Sequence, residues 1–381
     1  MVKKERCEVG YFTEKQLQEM QGRSFNDKVQ TSIAKILEII NKTEGAIYVA
    51  YSGGKDSGVL LDLVAFCWAM TPYSGEKLTV GFANTGNEYA GMVNFVKEFI
   101  SFIENKHGIK IDFVETKPQK HFKDVCITEG YPVVSKAIAR KVYDIRKDLE
   151  LNHLTYDDIK DHLEQTMECA DYLRGLGLSK TSVACLCGIL SDNRLATSQT
   201  TLAKRWHPLI YAPFNVSHKC CDYLKKKPQH EMQRQIGKSP ILGEMAEESL
   251  MRKNAYKKTG CVFLKDGMYK AKPMGFWLQK DVLKYIYTYK LPIFKYYGEV
   301  IKEGEEFRLT GMQRTGCKMC LFGCQYKENG IHQLKELEPN VARIMLRPIE
   351  EKGFGYREVI NYLNEYCDCD IDLGQNDGLT E

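Results

Sequence analysis

Short apolar runs alternate with helical patterns along the first third of the chain. The runs are rich in strand-forming residues and stop at polar or glycine-containing turns, whereas the segments between them repeat apolar residues at helical spacing. The predicted strands span 46–52, 77–88 and 109–116, and the predicted helices span 25–43, 57–70 and a stretch that ends at about 105. Because short buried strands separated by helices favour a parallel sheet covered on both faces, the pattern predicts an α/β fold with a parallel sheet of the five-stranded type.

The rest of the chain predicts a helical region followed by shorter elements. A strand that enters a helix is predicted at 238–253, followed by a hairpin in CVFLKDGMYKAKPM and a helix that ends before Pro292. The predicted divisions are an N-terminal helical segment (1–44), the first part of the α/β core (45–134), a helical insertion (135–205), the second part of the core (206–260), and a C-terminal region with a cysteine-containing loop and closing helices (261–381).

The composition of the chain is that of an ordinary soluble protein. Of its 381 residues, 43% are hydrophobic and 27% are charged, and the net charge of +4 demands neither a nucleic acid nor a membrane as partner. The N-terminal stretch MVKKERCEVGYF lacks the apolar run of a secretory signal. The most apolar helical segment, VLLDLVAFCWAM, is too short to span a bilayer and contains Asp62. We therefore expect a cytoplasmic protein with no membrane partner.

A glycine-containing turn joins the first predicted strand to a helix. This glycine turn is Ser52-Gly53-Gly54-Lys55-Asp56-Ser57. A helix N-terminus presents unpaired N–H groups and the positive end of the helix dipole, and both favour an anion. Lys55 adds a cation, and Ser52 and Ser57 add hydroxyl donors. The turn is not a Walker A loop, because Val49 stands where that motif requires glycine and Asp56 follows the lysine. It predicts a phosphate site, and the alternative is a tight βα turn without a ligand.

Fourteen cysteines in a cytosolic chain favour metal or redox chemistry over a disulfide framework. Two groups stand out, which together form the four-cysteine set: Cys220, Cys221, Cys317 and Cys320. A C-x-x-C loop brings two thiolates to one metal or cluster, and a [4Fe–4S] cluster accommodates the adjacent pair better than tetrahedral Zn²⁺ does. Zinc remains the alternative.

Other cysteines are weaker candidates. Cys324 is predicted either to carry a persulfide or to be a core thiol, and the C-x-C pair of Cys185 and Cys187 is interpreted as structural. Cys367 and Cys369 lie among carboxylates, which argues against an activated nucleophile there.

The glycine turn resembles the SGGKDS signature of the PP-loop ATP pyrophosphatases. The resemblance implies that residues 52–57 grip the β and γ phosphates of ATP, which is then cleaved between its α and β phosphates. It implies that Lys55 neutralises the leaving pyrophosphate and that Ser57 contributes a hydroxyl donor. Asp56 either orients Mg²⁺ or serves as an ordinary acid at the helix N-terminus. The nucleoside is expected beside Asn84, Thr85 and Gly86, which follow the second predicted strand.

The cysteine pattern resembles the four-cysteine [4Fe–4S] motif of the adenylyl-sulfate reductases. This resemblance implies that the four-cysteine set ligates the cluster. The segment PILGEMAEES also resembles the G-x-R-x-x-E-S segment of that superfamily, in which Gly243, Glu248 and Ser249 match. Met245 replaces the arginine of the motif, and Arg252 is the candidate to supply its contact with an anion.

Together these motifs resemble the phosphoadenosine phosphosulfate reductase-like superfamily of PP-loop proteins, with two departures. The glycine turn is intact, whereas sulfonucleotide reductases generally have a degenerate one, and the chain ends in GLTE rather than in an ECGLH-like tail. It is therefore most similar to the iron–sulfur ATP pyrophosphatases, such as the DNA phosphorothioation proteins and the cluster-containing tRNA thiolases. The resemblance implies adenylation of an acceptor by ATP, followed by sulfur transfer with the help of the cluster and a sulfur-donor protein such as a cysteine desulfurase.

Two other functions stay open. One is a sulfonucleotide reductase that uses an external thiol, and the other is a non-catalytic nucleotide- and cluster-binding partner in regulation or defence. A DNA or tRNA acceptor would require a basic surface, which three runs could supply: 139–147, Lys225 to Lys227, and 251–258. Tyr143, Tyr223 and Tyr256 are candidates for base stacking. The alternative interpretation of each run is a solvated helix face.

Overall fold

A computed structural model describes residues 12–326 and 330–373 of the chain. Residues 1–11 and the terminal GLTE lie outside this range. The chain divides into two compact units, each built from two segments. The first unit comprises Met1–Pro118 and Lys225–Gly316, and the second comprises Gln119–Leu224 and Cys317–Glu381.

The strands are short, and the longest helix, α2, has 18 residues. The strands are β1 Ile47–Ala50, β2 Lys77–Ala83, β3 Lys110–Thr116, β4 Val133–Val134, β5 Ser239–Leu242, β6 Val262–Lys265, β7 Met268–Ala271, β8 Val300–Glu303, β9 Glu306–Leu309 and β10 Leu321–Phe322. The α-helices are α1 Glu14–Gln21, α2 Phe25–Lys42, α3 Lys55–Ala69, α4 Met92–His107, α5 Phe122–Glu129, α6 Lys136–Leu151, α7 Met167–Gly175, α8 Lys180–Cys187, α9 Lys227–Ile236, α10 Leu250–Thr259, α11 Gln279–Tyr289, α12 Gly330–Leu337, α13 Pro339–Leu346 and α14 Tyr356–Tyr366.

The first unit is built on a sheet with the strand order β3-β2-β1-β5-β7-β6. Neighbouring strands from β3 to β7 run parallel, and β6 pairs antiparallel with β7 at one edge. Val49 lies at the centre, because it is in register with Val80 on one side and Ile241 on the other. Helices flank the sheet, including α3 and α4 after the first two strands and α9 before β5. The predicted α/β fold with five parallel strands is confirmed, and the predicted hairpin supplies the antiparallel edge.

Helix α3, which begins in the glycine turn, is anchored by a buried carboxylate. Asp62 is 1% exposed. Its Oδ1 atom accepts a hydrogen bond from Lys106 Nζ at 2.7 Å and lies 2.8 Å from His107 Nε2, and its Oδ2 atom accepts one from Tyr285 Oη at 2.8 Å. The network ties α3 to α4 and α11. It therefore fixes the position of the helix whose N-terminus forms the predicted anion site.

We expect Asp62→Ala to lower the free energy of unfolding of the first unit by about 3 kcal/mol, because Lys106, His107 and Tyr285 lose a buried partner. Urea denaturation can follow this unit through the fluorescence of Trp68 and Trp277. The matched control, Glu98→Ala on the exposed face of α4, should change the free energy by no more than about 0.5 kcal/mol. Equal urea midpoints for Asp62→Ala and the control would show that the network does not stabilise α3.

The second unit is largely helical. The predicted helical region at 135–205 contains α6, α7 and α8. In the same unit β10 pairs in parallel with β4, and Gly323 N–H donates a hydrogen bond to Val134 O at 2.7 Å. This short ladder fixes the chain directly after Cys320. Among the described helices, none has the length and apolar character that crossing a membrane requires.

Candidate functional site

The glycine turn leaves β1 and becomes the first turn of α3. Gly53 has a left-handed backbone with φ of 75°, and a Cβ atom there would lie 2.5 Å from Met92 Sδ. Ser57 Oγ donates to Gly54 O at 2.9 Å and accepts from Ser52 N–H at 3.1 Å, and the two serine hydroxyls are 3.0 Å apart. The serines thus brace the turn itself. The first intrahelical bond of α3 is donated by Gly58 to Gly54 O, so the N–H groups before it point out of the helix end.

Lys55 is buried beneath a second chain segment. The residue is 4% exposed, and its ammonium donates to Gln313 O at 3.1 Å and to Asp56 Oδ2 at 3.3 Å. Burial lowers the pKa of Lys55, Asp56 opposes this shift, and the charge of nearby Arg314 lowers the pKa further. The ammonium therefore sits among groups that a bound phosphate could replace or join.

Tyr297 links the glycine turn to the same segment. Its hydroxyl accepts a hydrogen bond from Lys55 N–H at 3.4 Å and is 2.8 Å from Thr315 Oγ1, and Lys55 Nζ lies 5.4 Å from the ring centroid. Sequence reasoning missed Tyr297, Gln313 and Arg314 as neighbours of Lys55. The local signal was slight, since these residues lie in a loop-like stretch more than 240 positions away.

Asp56 has the environment of a candidate metal ligand. It lies in the first turn of α3, whose N-cap is Gly54, so its side chain does not cap the helix. Its Oδ2 atom faces Lys55, whereas its Oδ1 atom is buried and has no hydrogen-bond partner among the described residues. A buried carboxylate oxygen without a donor is suited to a hard cation such as Mg²⁺.

The segment after β2 borders a cavity of about 250 Å³. Asn84 Oδ1 accepts from Gly86 N–H at 3.1 Å, and Gly86 has φ of 72° with open space around it. Thr85 donates through both N–H and Oγ1 to Glu88 Oε1, at 3.1 and 2.6 Å. Glu88 Oε2 is buried without a hydrogen-bond partner among the described residues and lines the cavity with Asn84 and Gly86. Glu88 was missed in the sequence, although it directly follows the predicted turn.

The residues predicted from PILGEMAEES divide into two roles. A Cβ atom at Gly243 would lie 3.2 Å from Ser57 Cα, so this glycine lets the end of β5 lie against the glycine turn. Ser249 caps α10 by accepting from Arg252 N–H at 3.2 Å. Glu248 accepts from Met245 N–H at 3.0 Å and forms an ion pair with Arg252. Glu248 and Arg252 are thus paired with each other, and only Gly243 is seen to touch the glycine turn.

The structure brings the four-cysteine set together within the second unit. A hydrogen bond with Cys221, burial, and the neighbouring charges of Cys320 and Cys317 all raise the pKa of Cys220. Cys220 and Cys221 lie at the start of a helical segment that widens into a π-helical turn at Asp222–Lys226. Cys320 N–H donates to Cys317 O at 3.2 Å and closes the C-x-x-C turn. Across residues 12–326 and 330–373, no three His, Cys, Asp or Glu side chains are close enough together to hold one metal ion.

Tyr356 supports the C-x-x-C loop from below. It is fully buried, and its hydroxyl donates to Met319 O at 2.9 Å and lies 3.7 Å from Cys126 Sγ. The hydroxyl thus fixes a carbonyl between Cys317 and Cys320. Cys324, four residues farther on, is 2% exposed, and burial raises its pKa to about 12. Such a thiol is largely protonated at neutral pH, which favours a core role.

The predicted basic runs differ in their surroundings. In the run 251–258, Lys253 and Lys257 form ion pairs with Glu14. Tyr256 is 1% exposed and lies 3.0 Å from Cys261 Sγ through its hydroxyl, so the prediction that it stacks on bases is wrong. Tyr143 and Tyr223 are half-buried, each with a lysine ammonium over its ring.

Comparison with known proteins adds a family to this geometry. Residues 46–321 match the family model of the phosphoadenosine phosphosulfate reductase domain, a range that contains both the glycine turn and the four-cysteine set. A search of curated proteins finds no match. Among solved structures, the phosphate complex of phosphoadenylyl-sulfate (PAPS) reductase from Candida auris is similar, with 11% sequence identity and a TM-score of 0.32 over 74% of this chain and 89% of that chain.

Proposed function

Because the chain belongs to the phosphoadenosine phosphosulfate reductase domain family, we propose that it is the ATP-cleaving type of member, an ATP pyrophosphatase that adenylates an acceptor and supports sulfur transfer. The observation that carries this proposal is the complete glycine turn, in which a buried lysine and an acid with an orphaned oxygen meet at a helix N-terminus. A ligand that lacks β and γ phosphates has no need of this arrangement.

The proposed reaction begins with attack on ATP. An acceptor oxygen attacks the α-phosphorus, the bond between the α-phosphorus and the bridging oxygen breaks, and pyrophosphate leaves. The N–H groups of the glycine turn and the Lys55 ammonium stabilise the charge that develops on pyrophosphate. Asp56 Oδ1 would hold Mg²⁺, which bridges phosphate oxygens in such sites. A sulfur nucleophile then displaces AMP from the activated acceptor.

The cavity beside Asn84 and Gly86 is the proposed nucleoside site. It lies after the carboxyl end of β2, which neighbours β1, and ligands of parallel sheets bind at this edge. Glu88 Oε2 is a buried acceptor there, and a ribose hydroxyl or an adenine amino group could donate to it.

The four-cysteine set is the proposed holder of a [4Fe–4S] cluster. Four thiol ligands are the donor set that such a cluster requires, and a cluster spreads its ligands over four irons rather than around one ion. The wider spacing agrees with thiols that influence Cys220 without closing on a single metal position. When bound, the cluster would hold or deliver sulfur. A Zn²⁺ site with the same four ligands is the alternative.

We expect Tyr356→Phe to weaken retention of the metal centre by about tenfold, because the Met319 carbonyl loses its donor and the C-x-x-C loop its support. Iron, sulfide and zinc analysis after anaerobic dialysis against a chelator measures this. Tyr131→Phe is the matched control, since it removes a hydroxyl that donates to Phe354 O at 2.8 Å, outside the cysteine loop. Equal metal retention by both variants would contradict a supporting role for Tyr356.

The proposed function is tested by the products formed from ATP. Purified protein is incubated anaerobically with Mg²⁺, ATP labelled in its α or γ phosphate, and either tRNA or DNA as candidate acceptor. The proposal predicts AMP-containing products and pyrophosphate. Formation of ADP and phosphate contradicts it. Sulfite release from adenylyl sulfate in the same preparation would favour the reductase, and nucleotide binding without turnover for any acceptor would favour the non-catalytic partner.

A further inference from the structure

A cavity of about 230 Å³ in the first unit shares no lining residue with the glycine turn or the Asn84 cavity. It is formed by the loop between α1 and α2, one face of α11 and the β8–β9 hairpin. Its walls carry Arg23, Lys28, Lys280 and Lys284, and we refer to it as the cation cavity.

The charges of the cation cavity are not balanced. Lys28 and Asp281 form a buried ion pair at 2.6 Å, in which the two side chains are 2% and 7% exposed, and they neutralise each other. Three cations remain, and none of them has an ion-pair partner within 4.0 Å in the described part of the chain: Arg23, Lys280 and Lys284. Glu305 is the remaining acid on the wall. The local charge is therefore close to +2, which favours an anionic ligand.

Aromatic rings alternate with these cations. Lys280, Lys284 and Tyr287 follow one another at helical spacing on α11 and so share a face. Lys284 Nζ lies 5.1 Å from the centroid of Phe25. Phe307 lines the cavity, and its ring lies 5.3 Å from that of Tyr287, which is 47% exposed. Basic side chains that track a backbone beside exposed aromatic rings are typical of sites for single-stranded nucleic acid.

We propose that the cation cavity, together with Tyr287, binds single-stranded nucleic acid. Backbone phosphates lie between Arg23, Lys280 and Lys284, and a base stacks on the exposed Tyr287 ring. The size of the cavity suits one nucleotide's phosphate and sugar, and the ring is open only to a base that is not paired in a duplex. The site is independent of the chemistry proposed for the glycine turn.

Fluorescence anisotropy with the full chain and a labelled oligonucleotide of about 12 residues tests the proposal, without ATP and between about 50 and 200 mM salt. The double variant Lys280→Ala/Lys284→Ala should bind about tenfold more weakly. Its slope of log affinity against log salt should be shallower by about 1.4, because two phosphate contacts are lost at about 0.7 each. Tyr287→Ala should lose roughly fivefold or more with an unchanged slope, and Tyr287→Phe should retain binding.

The matched control is Lys77→Ala/Lys110→Ala. These two exposed lysines are register partners at the start of β2 and β3, and their replacement removes the same charge elsewhere in the unit. Wild-type affinity and slope in this control support the proposal. Equal effects of the two double variants, a duplex bound as tightly as the single strand, or binding of inorganic tripolyphosphate without binding of the oligonucleotide would each overturn it. None of these outcomes bears on ATP cleavage, so the two proposals fail separately.

Discussion

Replacing Lys55 with alanine is expected to slow pyrophosphate release from ATP by about 10²- to 10³-fold. The ammonium is buried at the start of α3 and is the cation nearest to where the leaving pyrophosphate would lie. In a water-excluded site such a charge stabilises the transition state more than it does in bulk water. The measurement is the initial rate of pyrophosphate formation with saturating ATP and acceptor.

Two further variants interpret the Lys55 result. Lys97→Ala, which replaces an exposed lysine on α4, should leave the rate unchanged. Asp56→Asn keeps the size of the side chain but removes the charge needed to hold Mg²⁺, so its rate should fall and should recover in part at high Mg²⁺. A Lys55→Ala enzyme that works as fast as the wild type would remove the glycine turn from the chemistry.

The second large effect is expected at the cysteines. Cys320→Ala should retain less than about one tenth of the iron and sulfide of the wild-type protein, because a cluster ligand is lost. The anaerobic visible spectrum should lose its broad charge-transfer band in parallel. Cys185→Ala is the matched control, since Cys185 is a buried cysteine of the same unit outside the four-cysteine set, and its iron content should match the wild type.

The metal analysis also separates the two kinds of centre. Iron and sulfide in equal amounts support the [4Fe–4S] assignment. Zinc without iron in the wild-type protein, lost again in Cys320→Ala, would establish the alternative site with four thiolate ligands. Equal metal contents in Cys320→Ala and Cys185→Ala would exclude the four-cysteine set as the ligands of either centre.

The sequence was most informative where local chemistry decides the structure. Strand formers around Val49 followed by two glycines predict a buried strand and a sharp turn, and β1 and α3 lie there. The hairpin of β6 and β7 and the end of α11 at Tyr289 also agree with turn residues and Pro292. In each case the signal lies within a few residues of the feature that it predicts.

Contacts between distant segments could not be predicted in this way. The carbonyl of Gln313 reaches Lys55 across 258 positions, and no periodicity or spacing encodes such a contact. Arg252 could be named as an anion contact from its position after Glu248, but the two side chains pair with each other once α10 forms. Tyr256 looked like a stacking residue in a basic run, and packing against Cys261 buries it.

The most direct test of the proposed ATP chemistry is a comparison of nucleotide affinities, since it needs neither the acceptor nor the sulfur donor. Isothermal titration calorimetry of the wild-type protein measures the Kd of ATP with Mg²⁺ against that of adenylyl sulfate. If the glycine turn grips the β and γ phosphates, ATP should bind at least about tenfold more tightly, and Lys55→Ala should remove most of the difference. Adenylyl sulfate binding as tightly as ATP, or more tightly, would contradict this role of the glycine turn.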